Sequence, residues 1–280
     1  MGRRMGSFRE KKMTKGILLF AFNTPKVDYF KMAVHTAKRA KHFLNLPVSV
    51  VTDESTNIKE YDFTFDNVFI QTADKTNTKD SDVWINKGRY QAYDLSPYDE
   101  TLLIDTDYLI NSNTLLKVFD LYDDFMCHNT TSFLMIPNSE QEKVSETSFN
   151  TLWATVIAFR KTEKTKMIFN CMKMVQENYE HYINLYNILG LSYRNDFALT
   201  IAHRIVNGQS EDITDYIPWN LVHIGKNTTL YNDTTEQLNT TYTAVYDKWN
   251  NGKIKKEYCT VTDTDFHLLN KENFMELINE

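Results

Sequence analysis

Glycine is scarce. Eight occur in 280 residues, at positions 2, 6, 16, 88, 190, 208, 225 and 252, and no two have the spacing of a GxGxxG or Walker loop. That excludes the two common glycine-built phosphate cradles, so any phosphate held here must be neutralised by a metal ion and cationic side chains. Cysteine is also rare: Cys127, Cys171 and Cys259 form no CxxC pair and cannot all pair within one chain, which reads as a reducing, cytoplasmic setting. Long apolar runs are missing. GILLFAF at 16–22 and WATVIAF at 153–159 are seven residues each, against roughly twenty for a membrane-spanning helix, so no membrane span is expected. Positive charge is not in excess either, since the net charge is −6 and the pI near 5.7, which argues against generic nucleic-acid binding.

The first fifteen residues, MGRRMGSFREKKMTK, are basic without the apolar stretch of a secretory signal and are expected to be a disordered tail, with Met13 a candidate natural start. No Pro/Gly linker or internal repeat interrupts the rest, so residues 16–280 are expected to form a single domain. Asn-x-Ser/Thr matches at Asn129, Asn227, Asn232 and Asn239 read as accidents of an Asn- and Thr-rich chain.

From Gly16 onward, short apolar runs alternate with helical periodicity, the pattern of an α/β sheet covered by helices. Strands are expected at 16–22, 47–54, 67–71, 101–104, 153–159 and 221–225. Helices are expected at 28–44, 84–96, 113–121, 162–189 and 196–206. The methionines of 162–189 read as core filler, 137–150 as a surface loop and 226–256 as irregular. In the first helix, Lys38, Arg39 and Lys41 are expected on a basic outer face able to meet phosphate.

Asp-x-Asp triplets occur at Asp80/Asp82, Asp105/Asp107 and Asp263/Asp265; with 21 aspartates the count alone carries no weight. Context separates them. Only Asp105-Thr106-Asp107 directly follows a buried apolar run, TLLI, which puts both carboxylates at the carboxyl edge of a sheet. Two carboxylates there can share a hard divalent cation whose remaining positions accept diphosphate oxygens. Helix capping or a solvated turn explains the same spacing equally well. Asp263, Asp265 and His267 alternate on one segment, and a local metal site there is a weaker alternative. Trp84, Trp153 and Trp219 read as packing residues, and His35, His42, His128, His181, His203 and His223 show no partner pattern.

TLLIDTDYLI resembles the DxD strand of glycosyltransferases with the GT-A fold, especially the glycogenin and bacterial galactosyltransferase group, and other landmarks follow in the same order from about 16 to 275. The resemblance implies a GT-A-type central mixed, mostly parallel sheet flanked by helices. It places Phe22, Asn23 and Thr24 at the nucleotide base and Asp53 near the base or ribose. It implies a diphosphate-reaching cation on the helix NKGRYQAYDL, with Lys87 first and Arg89 second, and Asn150 beside the donor sugar. Asp196 stands where the group has an acidic residue facing the reacting sugar, although Phe197 follows instead of glutamine. HLLNK at 267–271 resembles the C-terminal histidine ligand and phosphate grip, with His267 as third metal ligand, Lys271 as phosphate partner and Asn270 in place of glycine.

The activity so implied is metal-dependent transfer of a sugar from a nucleotide-diphosphate donor, with a UDP-sugar first, to an acceptor hydroxyl, with retained configuration. Mn²⁺ or Mg²⁺ would sit on Asp105, Asp107 and His267. A glycan or small molecule is the expected acceptor. The opening KGILLFAFNTPKVDYFKMA is also similar to small phage-encoded glycosyltransferase-like proteins, which leaves a hypermodified DNA base as second acceptor and a host cytoplasm as the setting. A non-catalytic nucleotide-sugar or glycan-binding protein would keep the fold without turnover. A sugar-phosphate nucleotidylyltransferase is disfavoured because no glycine-rich loop follows GILLFAF.

Overall fold

The computed structural model describes residues 14–61, 63–79, 82–134, 136–210, 215–233, 238–250 and 253–279. Residues 1–13 of the expected basic tail, with Met13, and Asp80 of the first Asp-x-Asp triplet lie outside the described residues.

The architecture is α/β, with a mixed, mostly parallel sheet flanked by helices. Six strands run in the order Asn67–Ile70, Val48–Thr52, Lys15–Phe20, Glu100–Ile104, Trp153–Arg160 and Phe125–His128. Neighbouring pairs are parallel up to Glu100–Ile104, and only Trp153–Arg160 runs against its neighbours. Central strands buried on both faces need continuous apolar sequence, which is why GILLF, TLLI and WATVIAF read as runs rather than alternations. Alternation then sorts their side chains between two cores. Ile17, Leu19, Leu102, Ile104, Val156 and Ala158 meet the helix Tyr29–Leu44, whereas Leu18, Leu103, Ile157 and Phe159 meet helices Glu163–Glu177 and Asn195–Val206. No helix among the described residues is long and apolar enough to cross a membrane.

The helix ends follow local chemistry. Asp28 caps Tyr29–Leu44 by accepting the Lys31 N–H, and Asn45 closes it in the left-handed region at φ 51°. Thr162 caps Glu163–Glu177 through the Thr165 N–H. The single helix expected over 162–189 is divided: Asn178, with φ −118° and ψ 33°, separates Glu163–Glu177 from Tyr179–Leu185. Of its methionines only Met172 is core; Met167 and Met174 are exposed. The helix expected at 84–96 is a 3₁₀ turn, Lys87–Gln91, leading into a short α-turn, Ala92–Leu95, and 113–121 is likewise a 3₁₀ segment, Thr114–Asp120.

Two expectations of irregular structure are corrected. Within 137–150, Ile136–Glu140 is a strand antiparallel to Thr131–Phe133. Much of 226–256 belongs to an antiparallel three-stranded sheet, Thr229–Asn232, Thr241–Asn250 and Lys253–Thr262. Its polar composition conceals a partly buried sheet: Leu230, Tyr242, Ala244 and Val261 pack inward with Phe266, Leu268 and Phe274, while Thr229, Tyr231, Thr243, Thr260 and Thr262 occupy the alternate positions. The Asn-Gly pair at 251–252 between the long strands is a hairpin signal in its own right.

The basic outer face is also revised. Arg39 is 1% exposed and donates to the carbonyls of Ile110 and Asn239, each at 2.8 Å, and to Asn111 Oδ1. It joins three segments from inside and cannot meet an external phosphate.

Gly16 serves a close approach. A Cβ built there would lie 2.4 Å from the ring of buried Tyr98, whose hydroxyl meets Ser49 Oγ at 2.8 Å. Gly16→Ala is therefore expected to cost about 1–3 kcal/mol through overpacking. Urea denaturation should show that loss in the wild-type background and a much smaller one beside Tyr98→Ala, because the two sites touch.

Candidate active site

The strand Glu100–Ile104 ends at the sheet edge, and Asp105-Thr106-Asp107 carries the chain across to a second sheet, entered at Tyr108–Leu109. That crossing is a tight turn: Asp105 N–H donates to Thr155 O at 2.9 Å and Tyr108 N–H to Asp105 O at 3.1 Å. The second sheet runs Ile136–Glu140, Thr131–Phe133, Leu221–Ile224, Phe266–Leu268 and Tyr108–Leu109. Antiparallel pairing sets His267 opposite Tyr108, and Leu268 N–H donates to Asp107 O at 3.0 Å. This register brings the C-terminal imidazole to the Asp-x-Asp turn. One ligand atom each from Asp105, Asp107 and His267 lies within 4.8 Å of the others, and His267 Nε2 stands 3.2 Å from Asp107 Oδ2.

Burial holds the His267 imidazole below its ordinary pKa, although Asp105 and Asp196 oppose the shift, so the ring favours the neutral, metal-ligating form. Its Nδ1 is buried without a hydrogen-bond partner among the described residues. Two carboxylates and a neutral imidazole make a donor set that suits Mn²⁺ and accepts Mg²⁺. The residues therefore fit a divalent cation.

Two cations already face these carboxylates. The Arg89 guanidinium, 5% exposed, pairs with Asp105 and donates to Ala154 O. Lys271 Nζ contacts Asp107 Oδ2 and donates to Leu268 O at 2.9 Å. Burial pushes the Lys271 ammonium down to about 7, against the pull of Asp105. Asp107 thus meets positive charge from the same C-terminal segment that supplies His267.

The cleft above these groups has a volume of about 470 Å³. Phe22, Thr24, Arg89, Asp105, Asp107, Asp196, His267 and Lys271 line it, so the structure brings eight of the thirteen sequence-selected residues to one place. The Asp196 carboxylate is held at the cleft wall, with Oδ1 accepting Ala154 N–H at 2.9 Å and Oδ2 paired with Arg194 at 3.0 Å. The other five are placed elsewhere. Asn23 Oδ1 accepts the Phe30 N–H at 2.8 Å and so ties the first turn to its helix. Asp53 is buried and accepts from Ser55 and Thr56 within its own turn. Lys87 reaches Thr76 Oγ1 and Asp74, while its neighbours Gly88 and Arg89 line the cleft. Asn150 bonds Gln141 and lines a different cavity. Asn270 caps the helix Lys271–Leu277 by accepting the Asn273 N–H at 3.1 Å, which fixes the chain where a glycine was expected to allow close approach.

Several cleft residues carried no usable signal in the sequence. Trp84 and Trp153, read as packing residues, both line the cleft; Trp153 is also a buried core residue, as that reading expects, and Trp219 packs against the same core. His223 pairs in register with His267 on the adjacent parallel strand and has ring centroids 4.9 Å from Trp153, 5.2 Å from His267 and 5.6 Å from Phe133. Burial first, then the neighbouring His267 imidazole, drives its pKa down to about 3, so it is a neutral ring beside His267. Tyr29, Arg194 and Lys226 also line the cleft. The cross-strand register, absent from any single segment, is what brings the two histidine rings together, tilted 54° to each other.

No protein family matches the sequence, and no curated protein sequence does. Solved structures give weak likenesses. They include the Streptococcus pneumoniae glycosyltransferase GlyE, at TM-score 0.43 and 10% identity over 72% of this chain and 44% of that one. The galactosyltransferase LgtC, in complex with donor and acceptor sugar analogs, aligns at TM-score 0.45 and 10% identity over 67% and 69%. Mouse xyloside xylosyltransferase 1 aligns at TM-score 0.44 and 9% identity over 76% and 85%. The chain thus spans less than half the length of GlyE.

Proposed function

We propose that this chain is a GT-A-type glycosyltransferase that moves a sugar from a nucleotide-diphosphate donor, a UDP-sugar first, to an acceptor hydroxyl. One observation carries the reading: Asp105, Asp107 and His267 converge within 4.8 Å at the floor of a cleft also lined by Arg89 and Lys271. Asp105, Asp107 and His267 would hold Mn²⁺ or Mg²⁺, which would supply Lewis-acid stabilisation of a departing diphosphate. The protein's own groups do the rest. Lys271 and Arg89 add fixed positive charge where the leaving group becomes negative, in a buried setting where such charge counts more than in water. Phe22, Thr24, Tyr29 and Trp84 supply apolar and aromatic wall for a base and ribose. Asp196, with both oxygens anchored, supplies fixed negative charge near a sugar that becomes oxocarbenium-like.

Retention of configuration belongs to this reading through the sequence resemblance. A glycan or small-molecule acceptor fits the net charge of −6 better than a DNA base does, and the buried Arg39 removes one of the cations a DNA contact would have used. Three free cysteines fit a cytoplasmic setting.

The test is a panel of nucleotide-sugars incubated with the protein and Mn²⁺, with nucleotide release and product anomer followed by NMR. Slow donor hydrolysis that stops with EDTA and returns with Mn²⁺ is the expected result. Tight donor binding without turnover on any donor or acceptor would instead establish a binding protein.

A further inference from the structure

A second cavity, of about 360 Å³, lies on the far side of the cleft wall. The wall is one residue thick in two places. Gln141 and Lys143 line this cavity while Glu142 between them lines the cleft, and Leu152 lines it where Trp153 and Ala154 line the cleft. Among the described residues its lining holds two cations, Lys143 and Arg204, and no carboxylate. Neither cation has an ion-pair partner among the described residues; Arg204 donates to Ser210 O at 3.1 Å, and its guanidinium lies 5.0 Å from the centre of the Phe149 ring. Two buried polar groups of the lining are also left over. Ser148 Oγ and His203 Nδ1 have no hydrogen-bond partner among the described residues; fully buried His203 packs against the Phe125 ring at 5.5 Å, and the carboxylate near its Nε2, Asp215 at 3.7 Å, is already taken by Lys164 at 3.0 Å.

Cations without an ion-pair partner among the described residues, beside buried polar atoms likewise unpartnered there, call for a ligand that brings negative charge and several acceptor atoms together. We propose that this cavity binds an oxyanion group, phosphate or carboxylate, carried on a small polar body such as a single sugar. Its volume is at the low end of ligand pockets, which run about 300–1,000 Å³, and accommodates one ring with its charged group. Arg204 and Lys143 supply the charge, and Ser148 with His203 the directional contacts. The site is independent of the sugar-transfer reading, because none of these four residues lines the cleft.

Isothermal titration of the full chain with inorganic phosphate, a hexose 6-phosphate and a hexuronate tests it. At least one probe should bind with one-to-one stoichiometry, and the tighter of the two sugar acids identifies the source of the oxyanion. Arg204→Gln and Lys143→Gln should each raise Kd about tenfold, as loss of one charge-assisted contact does. Ser148→Ala, which changes no charge, should raise it by a smaller factor. Lys271→Gln, a change in the cleft, should leave it as in wild type. Circular dichroism confirms that each variant is folded, and the substituted Arg204 and Lys143 lie outside the core. Absence of binding by all three probes at millimolar concentration overturns the proposal. So does binding that Lys271→Gln weakens and Arg204→Gln does not.

Discussion

Asp107→Asn is expected to lower donor turnover by about 10³-fold, or ~4 kcal/mol of transition-state stabilisation, while the fold survives. The reasoning is local. Asp107 is 7% exposed, lies 3.2 Å from the His267 imidazole and contacts the Lys271 ammonium, so one carboxylate serves both the metal donor set and the fixed charge. Asparagine keeps its shape but supplies no charge, which weakens cation binding and leaves Lys271 without its anionic partner. Two measurements separate a metal site from a structural ion pair. In wild type, Mn²⁺ should raise the melting temperature by mass action, because it binds the folded state alone. In Asp107→Asn that rise should vanish. If the variant melts lower but Mn²⁺ shifts neither protein, Asp107 is only the partner of Lys271 and the metal reading fails. His267→Ala should weaken the Mn²⁺ effect without disturbing the Asp105–Arg89 pair.

Arg39→Leu should give the largest loss of stability, about 3–5 kcal/mol, seen as a drop of roughly 10 °C in melting temperature for a chain of this size. Arg39 lies inside the protein and bonds the carbonyls of Ile110 and Asn239 together with the Asn111 side chain, so it joins the first helix to the segment after the Asp-x-Asp turn and to the three-stranded sheet. Leucine fills part of the volume but removes all three donated bonds; the Tyr242 hydroxyl still reaches Asn239 O at 2.8 Å and Asn111 Oδ1 at 3.4 Å, whereas the buried Ile110 carbonyl loses its Arg39 donor. Lys38→Leu, one position away and exposed, should change stability by less than about 0.5 kcal/mol. Equal effects at the two positions would show that Arg39 contributes bulk alone.

These two residues also mark where sequence reasoning reaches its limit. Asp107 could be selected because a buried strand's end is written locally: four apolar residues followed by acid place carboxylates at a sheet edge whatever else the chain does. Helical periodicity assigns Arg39 to the solvent face, because it puts charges in water by default. The exception depends on carbonyls that approach from Ile110 and Asn239, far away in the chain. The long strands at 241–250 and 253–262 carry no clear local pattern for a similar reason, since most of their residues are polar and the few inward ones, Tyr242, Ala244 and Val261, are buried against distant residues such as Met32, Leu109, Phe266, Leu268 and Phe274.

By itself the sequence determined the α/β class, the central strands and the position of Asp105 and Asp107, because burial on both faces and strand termination are encoded within a few neighbouring residues. The tertiary structure decided everything that depends on register between distant strands. It set His267 opposite Tyr108 and beside His223, turned Arg89 rather than Lys87 into the cleft, and moved Asn150 to a separate cavity. A one-residue shift in such pairing sends every side chain to the opposite face, and no local pattern in the segments 108–109, 221–224 and 266–268 could have fixed it.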